Sequence, residues 1–410
     1  MRKFSRLLTC FLFLMAFSAW GQAVKAKTTY VKAGKLFDSQ TGTYHSDVVL
    51  VIEGERIKSV EAAGFAIPAG TQVLDLSHAY VFPGLIDCHT HLGNRADRYD
   101  PIWDFKDTPF NSAIAGVVNA RKTLDAGFTS VRDVGSLPFL AVDLRNSIDA
   151  GFIPGPRIIA SGPGISITGG HGDLNNYSPQ TRVMMFPEQR DFGIADGPEQ
   201  VRQTVRAQVK YGVDVIKILA TGGVLSRGDQ PGASQYSLEE LKMAADTAHA
   251  TGRKIAAHAH GTQGIKWSIL AGIDSVEHAT LADDECIRLA KEHGTYFVMD
   301  IYDDDYILGN AKDFGIPQEF IDKERALGQL QRENFRKAAA AGVKDGLRHR
   351  CGRISAWRQC EAISLHGDVW DDSGTGHPGG HLERRRPHRP RQRCGLTNAR
   401  ALRRPDRRRR

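Results

Sequence analysis

Two histidines separated by one residue are the first sign of chemistry in this 410-residue chain. His89 and His91 close an apolar run, and in a strand this spacing places both side chains on the same face. Two imidazoles on one face can bind one divalent metal ion, at about 2.0–2.1 Å each for zinc. A lone histidine is more often a packed core residue, but the pair favours metal ligation.

Three further polar side chains lie within or at the ends of apolar, β-branched runs. Lys217 lies between Ile216 and Ile218, and His258 and His278 end two later runs. An unpaired buried ammonium is costly, so we interpret Lys217 as a lysine that burial makes chemically reactive. A lysine that simply reaches a carboxylate or solvent is the alternative. Together these side chains predict a metal centre with Lys217 as a catalytic residue.

Other candidates would contact the substrate. His260 faces the same way as His258, so we expect it to bind substrate or to lie just outside the metal ligands. His171 lies in a glycine-rich loop and is a candidate catalytic or substrate-binding residue, with a purely structural role as the alternative. Tyr236 and Arg132 are weaker candidates, and Tyr236 is assigned to substrate binding.

Residues 84–344 alternate between β-branched runs and helical stretches, which predicts an α/β fold. The predicted strands are residues 84–89, 129–134, 157–161, 213–220, 254–258, 275–278 and 295–299. The predicted helices include residues 112–126, 198–211, 237–251, 262–271 and 319–341. Seven strand–helix units favour a (β/α)8 barrel over an open doubly wound sheet, which would need a glycine-rich phosphate loop where His89 stands. In a barrel the candidate side chains meet at the carboxyl ends of the strands.

Two segments precede this predicted barrel at residues 83–344. Residues 1–21 begin with basic side chains and continue as a short apolar run, the pattern of a signal peptide. We expect its removal to release the protein to the periplasm or the exterior without a stable membrane anchor; an uncleaved anchor helix is the alternative. Residues 28–82 contain short alternating segments with turn signals, and we expect a small β-sandwich domain there.

The net charge of +7 is unevenly distributed. Residues 345–410 contain 17 arginines, no lysine and 7 acidic residues, a net charge of +10. The rest of the chain has 37 basic and 40 acidic residues, a net charge of −3. A mildly acidic body does not favour a nucleic-acid partner.

The first histidine pair lies in a segment that resembles a known family. Residues 83–91, Pro-Gly-Leu-Ile-Asp-Cys-His-Thr-His, are similar to the first-strand signature of the amidohydrolase superfamily, and Lys217, His258 and His278 match its later strands. Residues 129–135, 168–172 and 220–223 resemble the imidazolonepropionase-like dipeptidases and carboxypeptidases that cleave Xaa-Pro or Xaa-Arg/Lys. The resemblance covers about residues 28–344.

This resemblance implies a hydrolase with two divalent metal ions, which the histidine ligands suggest are zinc. His89 and His91 would hold one ion, His258 and His278 the other, and a carboxylated Lys217 would bridge them. A bridging hydroxide would attack the amide carbonyl of a dipeptide or N-acyl amino acid. The family also implies an aspartate on the eighth strand that passes a proton to the leaving amine. A cyclic-amide hydrolase, like imidazolonepropionase, or a catalytically dead truncated product is the alternative.

The eighth strand and its aspartate do not follow Lys344. A back-translation of residues 345–357, shifted by one base, encodes Gly-Thr-Asp at the expected place, and the same frame gives family-like segments from residues 383–387 and 400–410. We therefore predict that residues 345–410 are a frameshifted tail without native structure and that this exact chain has little activity. A basic nucleic-acid or membrane tail and simple disorder are the alternatives.

Overall fold

The computed structural model describes residues 27–95, 99, 102–173, 175, 177–185 and 192–344. The chain divides into two compact units, with a boundary after Pro83. The predicted signal peptide (1–21) and the predicted frameshifted tail (345–410) both lie outside the described residues.

The first unit contains one four-stranded sheet. Its strands are β1 (Thr28–Asp38), β2 (Thr43–Glu53), β3 (Arg56–Glu61) and β4 (Gln72–Val81). The spatial order is β3-β2-β1-β4, with antiparallel pairs except for β1 and β4, which run parallel. Over the described residues this is a single mixed sheet and not the predicted sandwich. The parallel return of β4 alongside β1 joins residues about 40 positions apart, which local alternation does not reveal.

The second unit contains seven parallel strands in its described part. They are β5 (Leu85–Thr90), β6 (Phe128–Asp133), β7 (Arg157–Ala160), β8 (Val215–Leu219), β9 (Lys254–Ala259), β10 (Ser275–His278) and β11 (Tyr296–Val298). Each lies at a position predicted from the sequence, because each is a short apolar run bounded by turn residues.

These strands are neighbours in chain order. They form a sheet β5-β6-β7 and a sheet β8-β9-β10-β11, all with parallel pairing. A bridge between Ile165 and Ile218 joins the segment after β7 to β8, and the Ile165 amide donates to the Lys217 carbonyl at 2.8 Å. The α/β content is confirmed, while closure of the strands into a barrel stays a prediction.

Helices follow most of these strands. The helices whose bounds the structure gives are α1 (Ile102–Lys106), α2 (Pro109–Asp125), α3 (Leu140–Asp149), α4 (Pro179–Met185), α5 (Pro198–Lys210), α6 (Leu238–Ala250), α7 (Thr262–Leu270), α8 (Asp284–His293), α9 (Asp303–Asn310) and α10 (Gln318–Ala340). Their apolar faces pack against the strands around a core that includes Phe128, Ile216, Ile255 and Val276. Among the described residues, no helix has both the length and the apolar character needed to cross a bilayer.

After α10 the chain returns to the edge of β11. The amide of Phe297 donates to the carbonyl of Lys344 at 2.9 Å. Lys344 therefore pairs with β11 at the position where the sequence predicts that an eighth strand begins.

Helix α6 begins with a reciprocal cap. The Ser237 hydroxyl accepts from the Glu240 amide at 3.3 Å, and the Glu240 carboxylate accepts from the Ser237 amide at 2.8 Å. Two amide groups that the first helical turn leaves unsatisfied are thereby paired.

We expect Ser237→Ala to lower the free energy of unfolding by about 1 kcal/mol, because it removes the acceptor of this cap. The matched control is Thr108→Ala, since Thr108 occupies the N-cap of α2 without a side-chain cap hydrogen bond. Urea denaturation of both variants measures the difference. Equal losses in the two variants would show that the α6 cap contributes nothing specific.

Candidate metal centre

A cavity of about 560 Å³ lies at the carboxyl ends of the parallel strands. It is lined by seven of the candidate residues predicted from the sequence: His89, His91, His171, Lys217, His258, His260 and His278. These residues lie close together because the carboxyl ends of adjacent parallel strands are at the same edge of a sheet. Tyr236 is not among the lining residues.

His89 and His91 form a pair whose outer nitrogens face each other. The Nδ1 of His89 donates to the Glu277 carboxylate at 2.7 Å, and the Nδ1 of His91 donates to the Gly135 carbonyl at 2.7 Å. Carboxylate and carbonyl oxygens only accept, so in a neutral ring Nε2 is the unprotonated nitrogen. The two Nε2 atoms are 3.2 Å apart, which is close to the about 3.3 Å expected for two nitrogens on one tetrahedral zinc ion.

A second group of imidazoles stands beside this pair. His258, His260 and His278 are all buried, and each offers a ring nitrogen within 4.8 Å of the others. The His258 and His278 ring centroids are 4.3 Å apart, and the His89 and His278 centroids are 5.5 Å apart. The two groups therefore share one site. A ring nitrogen of His260 lies as near to this group as those of the two predicted ligands, His258 and His278.

The rings of this second group are held by hydrogen bonds at their other nitrogens. His278 Nδ1 donates to Asp300 at 3.2 Å, and Gln331 in turn donates to the same carboxylate. His260 Nδ1 lies 2.7 Å from the Thr280 hydroxyl, and His258 Nε2 donates to a backbone carbonyl at 3.2 Å. Such partners fix the orientation of a ring whose remaining nitrogen can bind a metal.

Burial determines the charge of the central ring. The pKa of His258 is held well below its usual range, mainly by desolvation. Smaller contributions come from the nearby His171, His278, His260 and Lys217. His258 is therefore neutral at pH 7, which is the form that can bind a metal. Buried neutral imidazoles with orienting partners are a donor set that fits zinc and similar divalent ions.

Lys217 is a lining residue of this cavity. The residue is 2% exposed, and every residue of β8 around it is buried. Lys217 lines the same cavity as His89, His258 and His278. All five predicted metal ligands therefore line one cavity: His89, His91, Lys217, His258 and His278.

His171 is stacked on His258 and held from behind. The two ring centroids are 4.2 Å apart with an interplanar angle of 25°. His171 Nδ1 lies 2.7 Å from the Ser226 hydroxyl, which donates to the buried carboxylate of Asp229 at 2.7 Å. Lys323 from α10 contacts the same carboxylate at 3.2 Å. This network fixes His171 at the wall of the cavity.

The structure places Tyr236 away from the chemistry. The residue is 2% exposed, and its hydroxyl donates to the Ala195 carbonyl at 2.9 Å. Burial raises the pKa of this phenol far above its usual range. The substrate-binding role predicted for Tyr236 therefore does not match its position, because the hydrophobic core and a backbone carbonyl occupy the whole side chain.

Several supporting residues were not selected from the sequence. Glu277 and Asp300 anchor His89 and His278, and Ser226, Asp229 and Lys323 anchor His171. The histidines that they anchor are between 22 and 188 positions away in the chain. No local pattern links such residues; the only signal was that Glu277 immediately precedes His278.

This chain is similar to known hydrolases in sequence and in structure. A model of the amidohydrolase family matches residues 80–365. Ochratoxinase of Aspergillus niger is 33% identical over 332 residues, which cover 78% of this chain and 68% of that protein. The crystal structure of a Xaa-Pro dipeptidase with bound methionine is 33% identical, covers 84% of both chains and has a TM-score of 0.78. That of a prolidase complexed with N-methylphosphonate-L-proline is 30% identical, covers 84% of this chain and 83% of the other, and has a TM-score of 0.76.

These relatives confirm the superfamily and the dipeptidase-like subgroup indicated by residues 83–91, 129–135 and 168–172. The chain belongs to the amidohydrolase family, whose relatives identify it as a hydrolase of carbon–nitrogen amide bonds.

Proposed function

We propose that this protein is an exported metal-dependent amidohydrolase that cleaves the amide bond of dipeptides or N-acyl amino acids. The observation that carries the proposal is the convergence of six histidines and one buried lysine on one cavity. Its volume of about 560 Å³ suits a small ligand. The names of the similar proteins, a Xaa-Pro dipeptidase and a prolidase, support a peptide substrate.

Two divalent ions, zinc by ligand type, would be held here. His89 and His91 would bind one, His258 and His278 the other, and Lys217 would reach both as a carbamate formed with carbon dioxide. Bound ions of this kind activate water as a nucleophile and polarise the substrate carbonyl. The buried imidazoles hold that chemistry in a desolvated space, where electrostatic interactions are stronger than in water.

His171 and His260 are the side chains proposed to contact the substrate. Both line the cavity, and both are fixed by hydrogen bonds at Nδ1. His171 is 17% exposed at its side chain, so it can meet a ligand while its network with Ser226 and Asp229 holds the ring still. Because the Ser226 hydroxyl donates to Asp229, His171 Nδ1 carries the ring hydrogen, and Nε2 of the neutral ring would accept a hydrogen bond from a peptide N–H.

The two ends of the chain support further parts of this proposal. The basic and apolar N-terminal residues support export to the periplasm or the exterior. The arginine-rich composition beyond Lys344 and the shifted frame support the loss of the proton-transferring aspartate. We therefore assign full activity to the frame-corrected product and little activity to the 410-residue chain.

We expect Lys217→Ala to remove the bound ions and to lower amide hydrolysis by about 100-fold or more in the frame-corrected chain, because a bridging ligand is lost. Metal content after dialysis and the rate on a dipeptide measure both effects. The matched control is Lys242→Ala on α6, whose exposed side chain pairs with Asp246 at 3.2 Å. If Lys217→Ala keeps its metal and its rate, Lys217 is not a ligand.

The substrate class is tested with a panel of dipeptides, N-acyl amino acids and cyclic amides, with zinc added. We expect the frame-corrected chain to release free amino acids and the 410-residue chain to be slower by about 10²–10⁴-fold, since it lacks the proton-transferring aspartate. A chelator should abolish the release.

Two results of the panel would contradict the proposed peptidase activity. Turnover of cyclic amides alone would replace the peptidase assignment with a ring-opening one. Absence of turnover from both chains, with zinc bound, would indicate a metal-binding protein without catalysis.

A further inference from the structure

Glu277 is a completely buried carboxylate directly behind His89. Its side chain is 0% exposed, and Oε2 accepts from His89 Nδ1 at 2.7 Å. The other oxygen accepts from the Ser275 hydroxyl at 2.8 Å. A carboxylate in such a place is tolerated only when hydrogen bonds and a cation compensate for its desolvation.

Arg132 of β6 supplies that cation. Its Nη2 donates to the Glu277 carboxylate at 2.6 Å, and its Nη1 donates to the Ser275 hydroxyl at 2.9 Å. Its Nε donates to the carbonyl of Cys88, the residue before His89, at 2.6 Å. One planar guanidinium therefore ties β6 to β5 and β10 at the same level, a geometry that the fixed fork of arginine allows and lysine does not.

The contacts of Glu277 and Arg132 determine the direction of His89 Nε2, the nitrogen that faces the proposed metal site. The hydrogen bond to Glu277 places the ring hydrogen on Nδ1 and sets the plane of the ring, which directs Nε2 towards His91 Nε2 at 3.2 Å. The Nδ1 of His91 donates to the backbone carbonyl of Gly135. The orientation of His89 thus depends on an assembly of side chains.

We infer that Arg132 and Glu277 are positioning residues that orient His89 for a divalent ion, with Ser275 joining the two. The inference rests on the proposed metal centre. It assigns a role to Arg132 on the basis of the three hydrogen bonds of its guanidinium. Loss of the guanidinium is expected to weaken metal binding even though Arg132 is no ligand.

The test uses the 410-residue chain and zinc or cobalt alone. We expect Arg132→Lys and Glu277→Gln to weaken zinc affinity by about 10–100-fold in competition with a chelating dye, and to change the visible spectrum of bound cobalt. His89→Asn gives the reference for zinc held elsewhere, because it keeps every histidine and cysteine of residues 345–410.

The matched control is Arg145→Lys. Arg145 is 18% exposed at its side chain, as Arg132 is, and it also pairs with a carboxylate, Asp214, and a backbone carbonyl. We expect Arg145→Lys to change the unfolding midpoint of the metal-free protein without changing zinc affinity or the cobalt spectrum. A general loss of packing would affect both arginine variants alike.

Each result decides the inference. Unchanged zinc affinity and an unchanged cobalt spectrum in Arg132→Lys would overturn it while leaving the metal centre intact. If wild type itself binds no more zinc than His89→Asn, the proposed centre fails and the inference fails with it. Should Glu277→Gln not fold, Ser275→Ala takes its place, and wild-type zinc affinity in that milder variant would also overturn the inference.

Discussion

Imidazole rings packed against one another are the interaction on which the cavity of the second unit depends. His258 has ring centroids of three other histidines within 4.7 Å. Such rings cannot all be protonated, because each added charge would be desolvated and repelled by its neighbours. They are stable as neutral rings that are hydrogen-bonded on one side and able to bind a cation on the other. Neutral, oriented imidazoles of this kind could hold a metal ion, which agrees with the membership of the chain in the amidohydrolase family.

The surrounding structure serves to hold those rings in place. Each ring has a partner on a different element, so the strand ends, the loop after β8 and helix α10 all fix parts of the same cavity. The close approach extends to the backbone: a Cβ at Gly223 would lie 2.1 Å from the His171 ring. Only glycine leaves room for that ring, which explains a glycine at this point of the loop.

The sequence predicted the strands well, and the ligand candidates that it selected line one cavity, because both depend on local pattern. A histidine pair two residues apart must share a face, and apolar runs of four to six residues bounded by turn residues form buried parallel strands. The sheet of the first unit was predicted less well, since the pairing of β1 with β4 is non-local.

The residues that orient the site could not be predicted in the same way. Arg132 and Glu277 are 145 positions apart, and only the fold brings their side chains together. Tyr236 shows the reverse error: a tyrosine near a predicted site looks functional in the sequence, but the core takes up its ring and the Ala195 carbonyl takes up its hydroxyl. Local pattern determines which face a side chain is on, and tertiary packing determines what it meets there.

The central claim is that these imidazoles bind divalent ions in one cavity. Anomalous diffraction at the zinc edge, from crystals grown with zinc, tests it most directly. The account predicts peaks inside the cavity, one at about 2.0–2.1 Å from the facing nitrogens of His89 and His91 and one beside His258 and His278. Ordered protein with an empty cavity, or zinc bound only outside it, would contradict the account.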